Sequence, residues 1–279
     1  MENPVTIFAN NLHNKQLQEE GYAIVPFLNS SEVETLRKVF FEHHPQLPEG
    51  MYASSHALDF ALRKKMNDVI AQHCARAIEA TFVNATALGA TFMVKSKGAN
   101  GSLKPHQDWS IVDETKFNSY NIWLPLVDVN ETNGTLLVLP KNHTFIKAIR
   151  GLNIPSCYDN VIDEVWKLLI PLNVKAGDAV VYDHRLLHAS GLNQTDQTRL
   201  TIVYGVVSKN AEMRYHFGNN GKIEVYECTP DFYFNNEINN GPAGLKQLAV
   251  LENNNPVLEN KDLDVFRPKA KSWWQKILG

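Results

Sequence analysis

The chain has 279 residues, 44% of them hydrophobic and 20% charged, with a formal net charge of −3. Those values suit an ordinary globular protein, exclude the basic excess of a nucleic-acid binder, and leave no run near the ~18–20 apolar residues of a membrane span. The opening "MENPVTIFAN" lacks the basic start and apolar stretch of a signal peptide, and Cys74, Cys157 and Cys228 are widely spaced with no CxxC pair, so a reducing cytoplasm is expected, without a disulfide framework or thiolate zinc site.

The first ~80 residues read mostly as helix. In "SSEVETLRKVFFEHH", Ser31 followed by Glu34 has the pattern of a capping box, and Val33, Leu36, Phe40 and Phe41 follow at helical spacing. A second helix fits "ALDFALRKKMNDVIAQHCARAIEATF", where Phe60, Leu62, Met66, Val69, Ile70, Cys74 and Ile78 make a stripe suited to a sheet. From residue 86 the pattern changes to short runs rich in β-branched and aromatic residues. These are "ATFMVKS", "YNIWLPLVDV", "GTLLVLP", "LLIPLNV", "DAVVYD", "LLHAS", "LTIVYGVVS" and "KIEVYE", with turn chemistry in "ETNG", "KAGD" and "LNQTDQ". One helix is expected near "AGLKQLAVLE" in the Asn-rich end.

The expected fold is mainly β with flanking helices. Its core is a double-stranded β-helix (jelly-roll, cupin-like), with the N-terminal helices packed on one sheet. One domain is expected over 1–279, helical over about 1–85, jelly roll over about 86–230 and a C-terminal extension over about 231–279.

In an extended "PHQDW", His106 and Asp108 project to one side and Gln107 to the other. An imidazole and a carboxylate on one face are two ligands of a possible metal site, although an isolated His-x-Asp is more often a hydrogen-bonded surface pair. A second stretch, "GDAVVYDHRLLHASGLNQTDQTRLTIVYGVV", reads as strand, turn, strand. A symmetric hairpin centred near residues 193 and 194 would set His188 opposite Arg199, both facing one cavity. Arginine is the side chain best suited to gripping a carboxylate through two parallel hydrogen bonds. The plainer reading pairs Arg199 with Asp183 or Asp196 at a sheet rim. His184 competes with His188 for the metal, and the hairpin favours His188. Two histidines, one carboxylate and open metal positions describe the facial triad of non-haem Fe(II) oxygenases.

In their order along the chain, "PHQDW", "NIWLPLVDVNETNGTLLVLPKNH" and "GDAVVYDHRLLHASGLNQTDQTRL" resemble the phytanoyl-CoA dioxygenase family of Fe(II)- and 2-oxoglutarate-dependent oxygenases. The resemblance runs from about Met93 to Val207. It implies His106, Asp108 and His188 as iron ligands, and Arg199 with the Ser190 hydroxyl on the distal carboxylate of 2-oxoglutarate. It places Met93 and Trp123 on the wall of the cosubstrate pocket, with Asn121 on the same strand face as Trp123. Where members often carry "PGSH", this chain has "PKNH" at 140–143.

The resemblance implies a dioxygenase that hydroxylates a C–H bond of a small or medium organic metabolite, using 2-oxoglutarate and O2 and releasing succinate and CO2. Asp108 fills the position that a halide takes in related halogenases. The rival readings are a cupin-type metal protein acting as isomerase or hydrolase, which has no need of Arg199, and a non-enzymatic binding module. A CoA thioester would want clustered bases for its phosphates, for which Lys95, Lys97 and Lys104 are the nearest candidates. Trp109 is read as substrate border or core packing. His43, His44, His56, His73 and His143 are read as surface or core histidines. The end "KAKSWWQKILG" is expected to pack on the body, not on a membrane. Nothing in the sequence sets an oligomeric state.

Overall fold

The structure, a computed structural model, describes residues 6–47, 50–57, 59–98, 101–230, 232 and 238–267. In chain order its helices and strands are α1 (Asn11–Glu20), β1 (Tyr22–Pro26), α2 (Ser30–His43), β2 (Met51–Ala53), α3 (Phe60–Thr81), β3 (Ala85–Lys95), β4 (Leu103–His106), β5 (Ser119–Pro125), β6 (Leu136–Val138), α4 (Ile162–Leu168), β7 (Ile170–Pro171), β8 (Asp178–Asp183), β9 (His188–Ser190), β10 (Arg199–Ser208), β11 (Arg214–Asn219), β12 (Lys222–Glu227) and β13 (Gln247–Glu252). A six-stranded sheet, ordered β1-β8-β5-β10-β3-β2, faces a four-stranded sheet, β4-β9-β6-β7. The two make the jelly-roll core, and a separate three-stranded sheet, β11-β12-β13, stands beside it.

Period-two alternation explains the layers. On the large sheet Phe92, Val94, Ile122, Leu124, Leu200 and Ile202 turn outward, packing with Leu36 and Phe40 of α2 and Met66, Ile70 and Cys74 of α3. The expected helical layer on one sheet is therefore present. On the other face Trp123, Val180 and Tyr182 meet Leu136 and Val138 of the small sheet. Each large side chain so enclosed contributes on the order of 1.5–3 kcal/mol, which is why the alternation fixes the face that every strand turns inward.

Several elements differ from the sequence reading. The cap of α2 is Asn29, whose side chain accepts from the Ser31 and Glu32 amides while the Glu32 side chain accepts from the Asn29 amide; the box lies two residues before the Ser31/Glu34 pair. The stretch read as helical also supplies β1 and β2, both members of the six-stranded sheet. β1 follows Gly21, which ends α1 at φ 85°; its β-branched and aromatic residues then pair with β8, Tyr22 opposite Tyr182. The second half of "AGLKQLAVLE" forms β13 instead of a helix, because the open edge of β12 offers it a ladder of backbone partners. The anticipated β9–β10 hairpin does not form: β9 pairs with β4 and β6, whereas β10 pairs with β3 and β5 in the opposite sheet. "KAKSWWQKILG" lies outside the described residues.

Candidate metal centre

β4 and β9 lie side by side, with His106 directly opposite His188. Asp108 follows two residues beyond the end of β4. Its carboxylate closes the group, with Oδ1 3.9 Å from His106 Nε2 and Oδ2 3.9 Å from His188 Nε2. One ligand atom from each of the three residues lies within 4.8 Å of the other two.

Each ring is aimed by its second nitrogen. His106 Nδ1 is 2.8 Å from the Lys104 carbonyl and His188 Nδ1 is 3.0 Å from the Leu186 carbonyl. A carbonyl only accepts, so Nδ1 carries the proton and Nε2 keeps its lone pair for a metal. Asn121 Nδ2 donates to Asp108 Oδ2 at 2.9 Å. Burial, with His106 beside it, pulls His188 down to about 4, so the ring is neutral near pH 7. Burial pushes the Asp108 carboxyl up, but His188, His184, His106 and the Asn121 hydrogen bond outweigh it and leave it below the ordinary carboxylate range. Two imidazoles pre-aimed through Nδ1, with an ionised carboxylate beside them, are a fit donor set for a divalent transition metal.

The triad opens on a cavity of about 160 Å³ between the two sheets. Met93, Asn121, Trp123, Ser190 and Arg199 line it as well, so all eight residues anticipated from the sequence border one space. His188 and Arg199 do share a cavity, but they reach it from facing sheets. His184 is not on its wall; it is buried with neither ring nitrogen hydrogen-bonded among the described residues.

Arg199 is 2% exposed and its guanidinium lies 5.7 Å from the centre of the Trp123 ring. One Nη donates to the Gly134 carbonyl at 2.9 Å, while Nε has no acceptor among the described residues. The rim pairings do not occur, because Asp183 holds Arg185 and Asp196 holds Lys97. Burial alone draws Arg199 down to about 10, still well charged at neutral pH.

A further residue at the site, Tyr182, was not anticipated. The Tyr182 hydroxyl is 3.4 Å from His188 Nε2 and accepts from Asn121 Nδ2 at 3.4 Å. Its alternation with Val180 in "DAVVYD" was the available signal. His56, read as a surface or core histidine, is exposed and lines the cavity beside Met51, Ala53 and Ser55. Lys95 does not face solvent; it is 0% exposed, which breaks up the candidate phosphate-binding lysines. Trp109 is half-buried and stands edge-on to Tyr215, so core packing is its observed role. The "PKNH" turn braces the third ligand, since Asn142 Oδ1 accepts from the Leu187 amide at 2.6 Å, just ahead of His188.

Residues 16–201 match the family model for phytanoyl-CoA dioxygenase. Phytanoyl-CoA dioxygenase 1 of Oryza sativa subsp. japonica is 29% identical over 121 residues, 42% of this chain and 42% of the relative. Phytanoyl-CoA dioxygenase domain-containing protein 1 of Danio rerio is 23% identical over 160 residues, 54% of each. The chain thus spans about half the length of the curated relatives it matches. Among solved structures, the α-ketoglutarate-dependent carbocyclase SnoK of nogalamycin biosynthesis superposes with a TM-score of 0.57 at 17% identity, covering 74% of this chain and 87% of that one. HygX of Streptomyces hygroscopicus, with nickel and 2-oxoglutarate bound, gives 0.54 at 15% identity over 72% and 87%. At these identities the likeness is one of fold. No helix among the described residues is long and apolar enough to cross a membrane.

Proposed function

The chain belongs to the phytanoyl-CoA dioxygenase family, and from that premise we propose that it is an Fe(II)- and 2-oxoglutarate-dependent dioxygenase that hydroxylates a C–H bond of a small or medium organic metabolite. The observation that carries the reading is Arg199: a guanidinium buried in the wall of the His-Asp-His cavity with no carboxylate beside it among the described residues. A buried cation of this kind calls for an anion supplied from outside. A cupin-type isomerase or hydrolase would have no use for one.

His106 Nε2, His188 Nε2 and one oxygen of Asp108 would hold the iron. When bound, iron and 2-oxoglutarate supply O2-dependent oxidation of the substrate, with 2-oxoglutarate leaving as succinate and CO2. The chain's own residues do the rest. The Lys104 and Leu186 carbonyls keep both imidazoles aimed, and Asn121 keeps the carboxylate turned to them. Arg199 and the Ser190 hydroxyl would grip the distal carboxylate, while Trp123 and Met93 wall the cavity from water. Met51, Ala53, Ser55 and His56 also line the cavity, and the exposure of His56 marks the side from which a substrate would enter. Because Lys95 is internal, a CoA phosphate could not reach it from solvent, which favours a smaller metabolite.

Succinate release from 2-oxoglutarate, screened across amino acids, acyl-CoAs and secondary metabolites, tests the activity. The expected result is turnover that needs Fe(II), O2 and one substrate class; turnover unaffected by omitting 2-oxoglutarate would refute it. Asp108 occupies the place a halide would need, and its charge repels one. The product made under labelled O2 with excess chloride is therefore expected to gain one labelled oxygen and no chlorine.

A further inference from the structure

Lys95 on β3 stands directly across from Arg199 on β10. It is fully buried. Like charges opposite each other on paired strands repel, and a buried ammonium without an anion is costly. Lys97, on its own chain segment, pairs with Asp196 of the loop after β9 at 2.7 Å, and Glu131, before β6, is exposed. Among the described residues, Arg199 is the one charge that acts on Lys95, and no charge of opposite sign acts on Arg199. The fold thus holds Arg199 at one end of the cavity with Lys95 across from it on the next strand, and no acid among the described residues balances them.

The bonds of Lys95 are specific. Its Nζ donates to Ser190 Oγ at 2.7 Å and to the Gly191 carbonyl at 2.6 Å. The bend that covers it requires Gly134, at φ 75°, where a Cβ would stand 2.8 Å from the Gly191 carbonyl oxygen and 2.9 Å from Lys95 Cδ. An ammonium has hydrogens and no lone pair, so Ser190 must accept from it. The hydroxyl hydrogen of Ser190 is then left for the cavity that Ser190 lines.

We propose that Lys95 is a positioning residue that holds Ser190 as a hydrogen-bond donor, so that the Arg199 end of the cavity presents only donors and admits only an anionic head group. This rests on the 2-oxoglutarate reading and extends it to a residue that does not itself border the cavity. A neutral amine would reverse the arrangement, because Ser190 could then donate to Nζ and turn a lone pair towards the ligand. Burial, with Arg199 next, brings Lys95 down to about 7. A carboxylate arriving beside it favours the charged form. Cosubstrate binding above pH 7 should therefore take up a proton.

Isothermal titration of 2-oxoglutarate into the anaerobic Fe(II)-loaded protein at pH 8, in buffers of low and high ionisation enthalpy, reads that proton directly. Wild type is expected to take up more than half a proton per ligand. Lys95→Met should abolish the uptake and raise the Kd about tenfold or more, with Fe(II) affinity unchanged and the thermal midpoint of the metal-free protein not lowered. Because Lys95 acts through Ser190, Lys95→Met should cost much less affinity in a Ser190→Ala background than alone. Absent uptake in wild type, an unchanged Kd in Lys95→Met, additive losses in the double variant, or a midpoint lowered together with lost iron binding would each overturn the proposal. A wild type that binds iron but no 2-oxoglutarate would instead remove the functional reading, and this inference with it.

Discussion

Arg199 is 2% exposed with no carboxylate beside it among the described residues, and such a guanidinium is expensive to keep inside a protein. Arg199 is therefore expected to trade stability for binding. Arg199→Ala should raise the Kd for 2-oxoglutarate more than tenfold, since truncating one partner of a buried charged pair costs on the order of 2–5 kcal/mol. Titration calorimetry on the iron-loaded variant checks this, with metal stoichiometry expected to stay at the wild-type value. Period two made most of this wall legible in the sequence. Asn121 and Trp123 share one strand face, and Met93 the inner face of its own strand. Lys95 falls on that same face, two residues after Met93, so its place was available too. It was missed because a lysine near glycines reads as a solvated one, and nothing local reveals that the segments around Gly134 and Gly191 cover it.

At the scale of elements, the turn after β8 carries the chain from one sheet to the other and delivers His188. Asp183 organises it: Oδ1 accepts from the Arg185 amide and Nε, both at 2.8 Å, and Oδ2 from an Arg185 Nη at 2.5 Å. Arg185 also reaches Asn118 Oδ1 at 2.8 Å, tying the turn to the start of β5. Burial raises the Asp183 carboxyl, but its bonds to Arg185 outweigh that and hold it below its ordinary 3.8. The sign follows: the contribution is present above about pH 4 and is lost as pH falls through the folded-state value. Asp183→Asn should lower stability by about 2–3 kcal/mol at pH 7, below the full figure for a buried pair because Arg185 is partly open to water. Chemical denaturation of both proteins at pH 7 and pH 3 should show the gap shrinking in acid. This crossing of sheets is what the symmetric hairpin could not anticipate. The sequence from 188 to 199 is compatible with a local turn, and only the free edges of β4 and β6 draw β9 away. β13 shows the same override, its Leu, Ala and Glu having helical preference and β12 supplying the ladder.

Across the whole molecule, the cavity exists because two sheets with apolar inner faces meet and leave a polar end. The small sheet brings His106, His188 and Ser190; the large sheet brings Met93, Asn121, Trp123 and Arg199. The two-sheet core, the helical layer and the eight lining residues were legible because alternation, spacing and residue chemistry agree there. β1 and β2, in the stretch read as helical, were not, because each is short and gains its partners only from strands far along the chain. Central to the account is that His106, Asp108 and His188 together hold one iron. Anaerobic Fe(II) titration of wild type, His188→Ala and His184→Ala addresses this most directly, since His184 is the one competing histidine in the same turn. The account predicts one iron per chain in wild type and in His184→Ala, and loss of stoichiometric binding in His188→Ala. Full binding in His188→Ala with loss in His184→Ala would contradict it.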